Sequence, residues 1–268
     1  MKLSFFNKRL RNNYLKIASI LLTVESFILI FIDLSSILKL LVLLVSLLVY
    51  AVLYIAMYIQ ARTIVKREID LGNTKITVKY GNIFTEEGLK VIPCNEYFDS
   101  QVDEVLISSK TLHGKVMSEY IEDISDFDQK LAENDCCNKR IIEQVKRTIG
   151  KKNKYQLGTC FLYNGFIFVA FTKFDNDNKA YLDLSNYMYC LSNMWDEINR
   201  VYGGNSIVVP LAGSGITRIN SSASITKQDQ LEMLINSLKF SNIKFSHDSH
   251  ITIVLPENLK NEISLYEL

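Results

Sequence analysis

The chain has 268 residues, 48% of them apolar, and a formal net charge of +1. A balance of 30 basic against 29 acidic side chains gives no reason to expect nucleic acid as the main partner, because binding a phosphate backbone rests on a basic surplus. Five cysteines without a CxxC spacing, beside three histidines, give no zinc set, so reduced thiols in a cytosolic setting and no bound metal are expected.

Residues 1–14 carry Lys2, Lys8, Arg9 and Arg11 and read as a basic cytoplasmic N-terminus. Residues 15–60 read as a transmembrane helical hairpin. Leu15 to Leu34 and Ile37 to Ile59 are apolar runs of about 20 residues, which at about 1.5 Å per residue cross a hydrocarbon core of about 30 Å. Arg62, Lys66 and Arg67 follow the second run, so the positive-inside rule places both open ends in the cytoplasm. Two full spans without a small-residue cleavage site do not fit a signal peptide. Glu25, in the middle of the first span, costs about 2–3 kcal/mol unless protonated or paired. It reads either as a helix-gluing or pore-lining group, or as a tolerated neutral acid.

Residues 61–72 read as a short, charged helical stalk, and residues 73–268 as one soluble domain. Lys75 to Tyr80 alternates polar and apolar, which marks a half-buried strand, and Gly81-Asn82-Ile83-Phe84 turns at its end. Leu89 to Cys94 reads as a more buried strand leading into Asn95 and the Glu96-Tyr97-Phe98-Asp99 stretch. Leu112-His113-Gly114 reads as a turn. Ser118 to Ile149 shows helical spacing and predicts one or two helices broken near Asn134-Asp135. Tyr155 to Val169 predicts a hairpin turning at Asn164-Gly165. Ser185 to Val201 predicts a helix that buries Trp195; Ser206 to Pro210, a buried strand; Lys227 to Ser241, an amphipathic helix; and His250 to Leu255, a last strand. The alternation indicates a three-layer α/β or α+β domain.

The strand ending at Pro210 runs into Leu211, Ala212, Gly213, Ser214, Gly215, Ile216, Thr217 and Arg218. Glycine admits positive φ and close approach, so its N–H groups can form an anion nest for a diphosphate. Open α/β sheets bind ligands at the carboxyl ends of their strands. That predicts a site joining Asn82 and Ile83, Pro93 and Asn95, His113 and Gly114, and the 211–218 loop. Cys94 has no histidine near it in sequence and reads as a small buried residue, and His247 and His250 read as structural.

The order of these motifs resembles a macro domain, the module that binds ADP-ribose and its derivatives. A membrane hairpin followed by KYGNIF, IPCNEYFD, SSKTLHG and PLAGSGITR resembles, over essentially the whole chain, the transmembrane–macro effectors of Thoeris anti-phage systems, the ThsA type. The resemblance implies an α/β macro-like domain, a mixed sheet between helices. It implies a non-catalytic effector in the bacterial inner membrane, with the soluble domain in the cytoplasm. A partner TIR-domain enzyme is expected to consume NAD and release an ADP-ribose-like second messenger; no other cofactor is expected. Binding would drive homo-oligomerisation and disruption of the lipid bilayer. Asn82 stands where the family has Asp, and the bulky Glu96 to Thr111 segment replaces its glycine-rich first loop, so the resemblance implies that Phe98 and Asp99 of the Glu96-Tyr97-Phe98-Asp99 stretch shape a pocket for whatever is attached to the distal ribose. A membrane-anchored ADP-ribosyl hydrolase using Asp99 or Asp103 is the alternative, and a protein-binding scaffold a third.

Overall fold

The computed structural model describes residues 3–71, 74–175, 178–213, 218–220, 225–241 and 249–268, with the backbone alone for 218–220 and 249. Contacts divide the chain into two units, Met1–Arg67 with Lys260–Leu268, and Glu68–Leu259.

In the first unit, α1 (Lys8–Ile30) and α2 (Ser36–Arg62) form the hairpin, and both are long and apolar enough to cross a membrane. Asn7 caps α1 by accepting the Leu10 N–H at 3.0 Å, so the helix starts well before the apolar run. Glu25 is held within the hairpin, where its carboxylate accepts from the hydroxyls of Ser46 and Tyr50, the latter at 2.9 Å. At the open end Leu3, Leu10 and Ala61 are buried together with Tyr54, Met57, Tyr58 and Tyr266. There Asn7 Nδ2 donates to Glu267 at 2.7 Å and Asn13 Nδ2 to the Tyr266 hydroxyl at 2.9 Å.

The expected helical stalk is instead a strand, β1 (Lys66–Asp70). Thr63, Ile64 and Val65 follow α2, and such β-branched residues lose rotamer freedom in a helix and favour extended chain. Next come β2 (Thr74–Tyr80), β3 (Leu89–Asn95), α3 (Leu112–Glu119), α4 (Ile124–Ala132), α5 (Asp135–Asn138) and β4 (Ile141–Gln144). The chain continues through β5 (Asn153–Tyr155), β6 (Cys160–Tyr163), β7 (Phe166–Phe174), β8 (Ala180–Asp183), α6 (Leu184–Val201) and β9 (Ile207–Pro210). It ends with β10 (Arg218–Asn220), α7 (Lys227–Phe240) and β11 (Ser249–Leu255).

Two expectations need correction here. The 118–149 segment is not helical throughout. Thr111 starts α3 early by accepting the Gly114 N–H at 2.9 Å, and Ile141–Gln144 pairs with β5 as an antiparallel ribbon. His113 and Gly114 therefore lie in the first turn of a helix rather than in an open turn.

Among the described residues the main sheet runs β1-β2-β11-β9-β3-β7-β8-β10, with β6 beside the start of β7. From β2 through β11, β9, β3 and β7 the strands are parallel; β8 and β6 run antiparallel to β7. The parallel strands are buried on both faces, which is why Ile207–Pro210 is a continuous buried run. Period-two alternation divides β7. Phe166, Phe168 and Ala170 join a cluster with Phe98, Val116, Phe127 and Leu131, while Phe171 meets Tyr187 of α6 edge-on at 5.8 Å. Trp195 is fully buried, and its Nε1 donates to Ser237 of α7 at 2.8 Å. Helices thus cover both faces of a mixed sheet.

Candidate functional site

The carboxyl ends of β2, β11, β9, β3 and β7 stand along one edge of the sheet and open into a cavity of about 1340 Å³. Its wall takes Gly81 to Phe84 after β2, Val254, Pro256 and Glu257 after β11, and Pro210 to Gly213 after β9. It continues with Pro93 to Asn95 at the end of β3, Thr172 and Phe174 at the end of β7, Asp175, Asn178 and Lys179 in the connection, and Ala180 and Tyr181 at the start of β8. Glu104 to Ser108 and Lys110 to His113 close the remaining side.

Eight of the sequence-predicted residues line this cavity: Asn82, Ile83, Pro93, Asn95, His113, Leu211, Ala212 and Gly213. Asn82 turns its side-chain oxygen onto the Phe84 N–H at 3.1 Å, which fixes the turn after β2. Gly213 has φ +78°, a left-handed conformation that favours glycine, directly after the buried pair Leu211 and Ala212. Ser214, Gly215, Ile216 and Thr217 lie outside the described residues, and of Arg218 only the backbone is described, as the first residue of β10. The phosphate-cradling part of the predicted loop is therefore seen only up to Gly213.

Three predicted residues stand behind the wall. Phe98 is fully buried in the aromatic cluster, edge-on to Tyr155 at 5.1 Å. Asp99 is buried too, and its carboxylate receives Arg147 Nη1 at 3.1 Å and the Lys151 N–H at 2.7 Å. Gly114 does not line this cavity. A Cβ there would sit 2.2 Å from the Ser108 carbonyl oxygen, so its bareness lets α3 press against the 104–111 loop. The resemblance makes Phe98 and Asp99 pocket-facing because their stretch replaces the family's glycine-rich loop, but a left-handed Phe98 at φ 50° turns the chain inward. Asp103, the other acid of the hydrolase alternative, accepts the Val105 and Leu106 N–H groups at 2.9 and 2.7 Å.

His113 is 5% exposed, its ring faces Phe168 at 6.2 Å, and its Nε2 has no hydrogen-bond partner among the described residues. Burial, with a smaller contribution from Lys151, lowers its pKa to about 3, so the ring is neutral at physiological pH. Glu104, in the left-handed region at φ 63°, is held down to about 2 by hydrogen bonds from Ser109 and Ser108 and stays charged on the wall. Burial pushes the Cys94 thiol up, which makes it a poor nucleophile despite its place beside Asn95. His250 pairs with Thr77 at 3.2 Å, away from the wall, whereas His247 lies outside the described residues.

The β7–β8 connection and the 104–111 loop are the parts of the wall that sequence reasoning leaves out. Residues 174–181 carry no glycine, and among the described residues there Asn178 at φ 57° marks a special turn. Arg147, which supports this side from behind, falls in a stretch whose spacing reads as helix.

Residues 76–256 match the family described as "Thoeris protein ThsA, Macro domain". The Thoeris protein ThsA of Bacillus amyloliquefaciens (strain Y2) is 33% identical over 258 residues, 93% of this chain and 86% of that protein. Among solved structures, an Oceanobacillus iheyensis macrodomain with ADP is 10% identical, covering 73% of this chain and 90% of its own, with a TM-score of 0.47. The same macrodomain with MES bound is 11% identical, covering 71% and 88%, with a TM-score of 0.45.

Proposed function

The chain belongs to the Thoeris ThsA macro-domain family, and from that premise we propose that it is an anti-phage effector that senses an ADP-ribose-derived signal. The signal is the product of a TIR-domain enzyme acting on NAD. Its binding drives homo-oligomerisation, and the hairpin then disrupts the bacterial inner membrane in which it sits.

One observation carries the ligand half of this reading. A single cavity runs along the carboxyl ends of five parallel strands, with the left-handed Gly213 turn between the Asn82 end and the Asn95 end. Such an edge suits an elongated ligand whose diphosphate lies centrally against backbone N–H groups, with its two ends read by side chains on either side. Burial of Asp99 against Arg147 and the use of Asp103 within its own turn favour sensing over hydrolysis, since neither carboxylate is placed to activate water.

Full-length protein in detergent is titrated with ADP-ribose, cyclic ADP-ribose, NAD and the product mixture of a TIR enzyme, following thermal stability. One ADP-ribose derivative raises the melting temperature. Gly213→Asp weakens its binding by about tenfold or more, by setting a carboxylate and an unfavourable φ against the diphosphate. The same derivative releases dye from vesicles carrying the protein. Absence of any nucleotide-dependent shift overturns the reading, and turnover of an ADP-ribose ester replaces it with the hydrolase.

A further inference from the structure

Two amides on the cavity wall have their orientation fixed by groups that can only donate. Asn95 Oδ1 accepts the N–H groups of Tyr97 and Asp99 at 3.0 and 3.3 Å. Its Nδ2 gives one hydrogen to Asp99 at 3.1 Å and, among the described residues, keeps the other. Asn178 Oδ1 accepts Arg147 Nη2 at 2.9 Å, and a guanidinium never accepts, so among the described residues the Asn178 NH2 is the end left over. Both residues line the cavity at its β3–β7 side.

Arg147 stands behind both. Its Nη1 reaches both Asp99 oxygens, at 3.1 and 3.3 Å, and donates to the Lys151 carbonyl at 2.9 Å. Its guanidinium lies 3.9 Å from the centre of the Tyr97 ring. Only 9% of its side chain is exposed, and 1% of that of Asp99, so this is an internal brace rather than a surface pair. Gly150 permits it: at φ +81°, a Cβ there would meet Asp99 Oδ1 at 2.7 Å and Arg147 Nη1 at 3.0 Å. One guanidinium therefore fixes Asn95 through Asp99 and Asn178 directly. The Asp175 carboxylate nearby is turned into its own loop, accepting the Lys179 N–H at 2.9 Å.

The geometry assigns Arg147 as a positioning residue that aims the N–H groups of Asn95 and Asn178 at an oxygen acceptor, a carboxylate in preference to an ammonium, on the ligand beyond its diphosphate. This rests on the nucleotide-sensing reading above and adds the chemistry of the group that tells one ADP-ribose derivative from another.

Three probes are titrated against full-length protein in detergent: ADP, ADP-ribose oxidised at its terminal carbon to the carboxylate, and ADP-ribose reductively aminated there to a primary amine. The acid binds more tightly than the amine by about tenfold or more. Arg147→Lys keeps a charge beside Asp99 but loses the arm to Asn178. Asn178→Asp tolerates the same left-handed turn and sets an acceptor where a donor stood. Each narrows the acid-to-amine ratio to within about threefold while ADP affinity holds, which a merely structural defect would not do. Equal binding of acid and amine by the unaltered chain, or a ratio unchanged in both variants, overturns the assignment while leaving nucleotide sensing intact. Failure to bind ADP at all removes both readings.

Discussion

His113 is where a single side chain couples the cavity to stability. Its folded-state pKa of about 3 lies below the ordinary 6.5, because burial disfavours the charged ring. Between those values only the unfolded chain takes up the proton. The His113 contribution to stability is therefore complete above pH 6.5 and is lost as pH falls toward 3, by at most about 1.4 kcal/mol per pH unit. Glu96 acts in the opposite sense: burial raises its pKa, and Lys154 only partly offsets this. Comparison of the ligand-free protein with His113→Gln removes that shared background. Chemical denaturation from pH 6.5 to 4.5 should show a shallower loss of stability in the variant, and parallel curves would mean that the ring is not buried neutral. At this scale the sequence makes Asn82, Asn95, His113 and Gly213 legible, because each sits where a strand or glycine signal ends. It conceals Arg147, whose importance comes from chain segments 48 and 31 residues away, at Asp99 and Asn178.

Two glycines show how much of an element can be read locally. In the β6–β7 hairpin, Asn164 and Gly165 have φ 46° and 78°, the pair of left-handed residues that an Asn-Gly turn predicts, and nothing lies within 4 Å of a Cβ added at Gly165. Gly165→Ala should cost only its backbone strain, about 1 kcal/mol, with ligand binding unchanged. Gly114 has no unusual φ, but an added methyl would strike the Ser108 backbone, so Gly114→Ala must displace the loop that forms one cavity wall. A cost of about 2 kcal/mol or more, with weakened nucleotide binding, is expected. Paired denaturant melts and titrations of the two variants decide it, and equal effects would refute the close-approach role. The same contrast explains which elements the sequence reveals. The Asn164-Gly165 hairpin, α6 with Trp195, and the buried run at β9 announce themselves by turn chemistry or apolar pattern. β4 does not, because Ile141 to Gln144 becomes strand only by pairing with β5, and β8 and β10 are too short for a period to be counted.

Over the whole molecule, the first unit gathers Lys8, Arg9, Arg11 and Arg62 at the open end of the hairpin, while Lys39 stands near its turn. Asn7, Asn13, Tyr54 and Tyr58 lie there with Tyr266 and Glu267, so the start of α1, the end of α2 and the final segment share one side. The mid-span acid is not left bare within this unit, since Ser46 and Tyr50 both donate to Glu25 across the helix pair. Hydroxyl bonds of this kind are worth about 1 kcal/mol in a membrane, so Ser46→Ala with Tyr50→Phe should loosen the hairpin without preventing insertion. In the proposed orientation the positive-inside rule would put the shared end, and with it every cysteine of the second unit, in the cytoplasm. The chain carries its own reporter of that orientation. Cys94, Cys137, Cys160 and Cys190 are buried with thiols pushed up by burial, while Cys136 alone is exposed. A membrane-impermeant maleimide should therefore add one label in inverted inner-membrane vesicles, none on intact spheroplasts, and none in either once Cys136 is replaced by serine. Labelling of intact spheroplasts would place the cavity on the outer side, out of reach of any signal made from cytoplasmic NAD, and would sink the sensing mechanism along with the orientation.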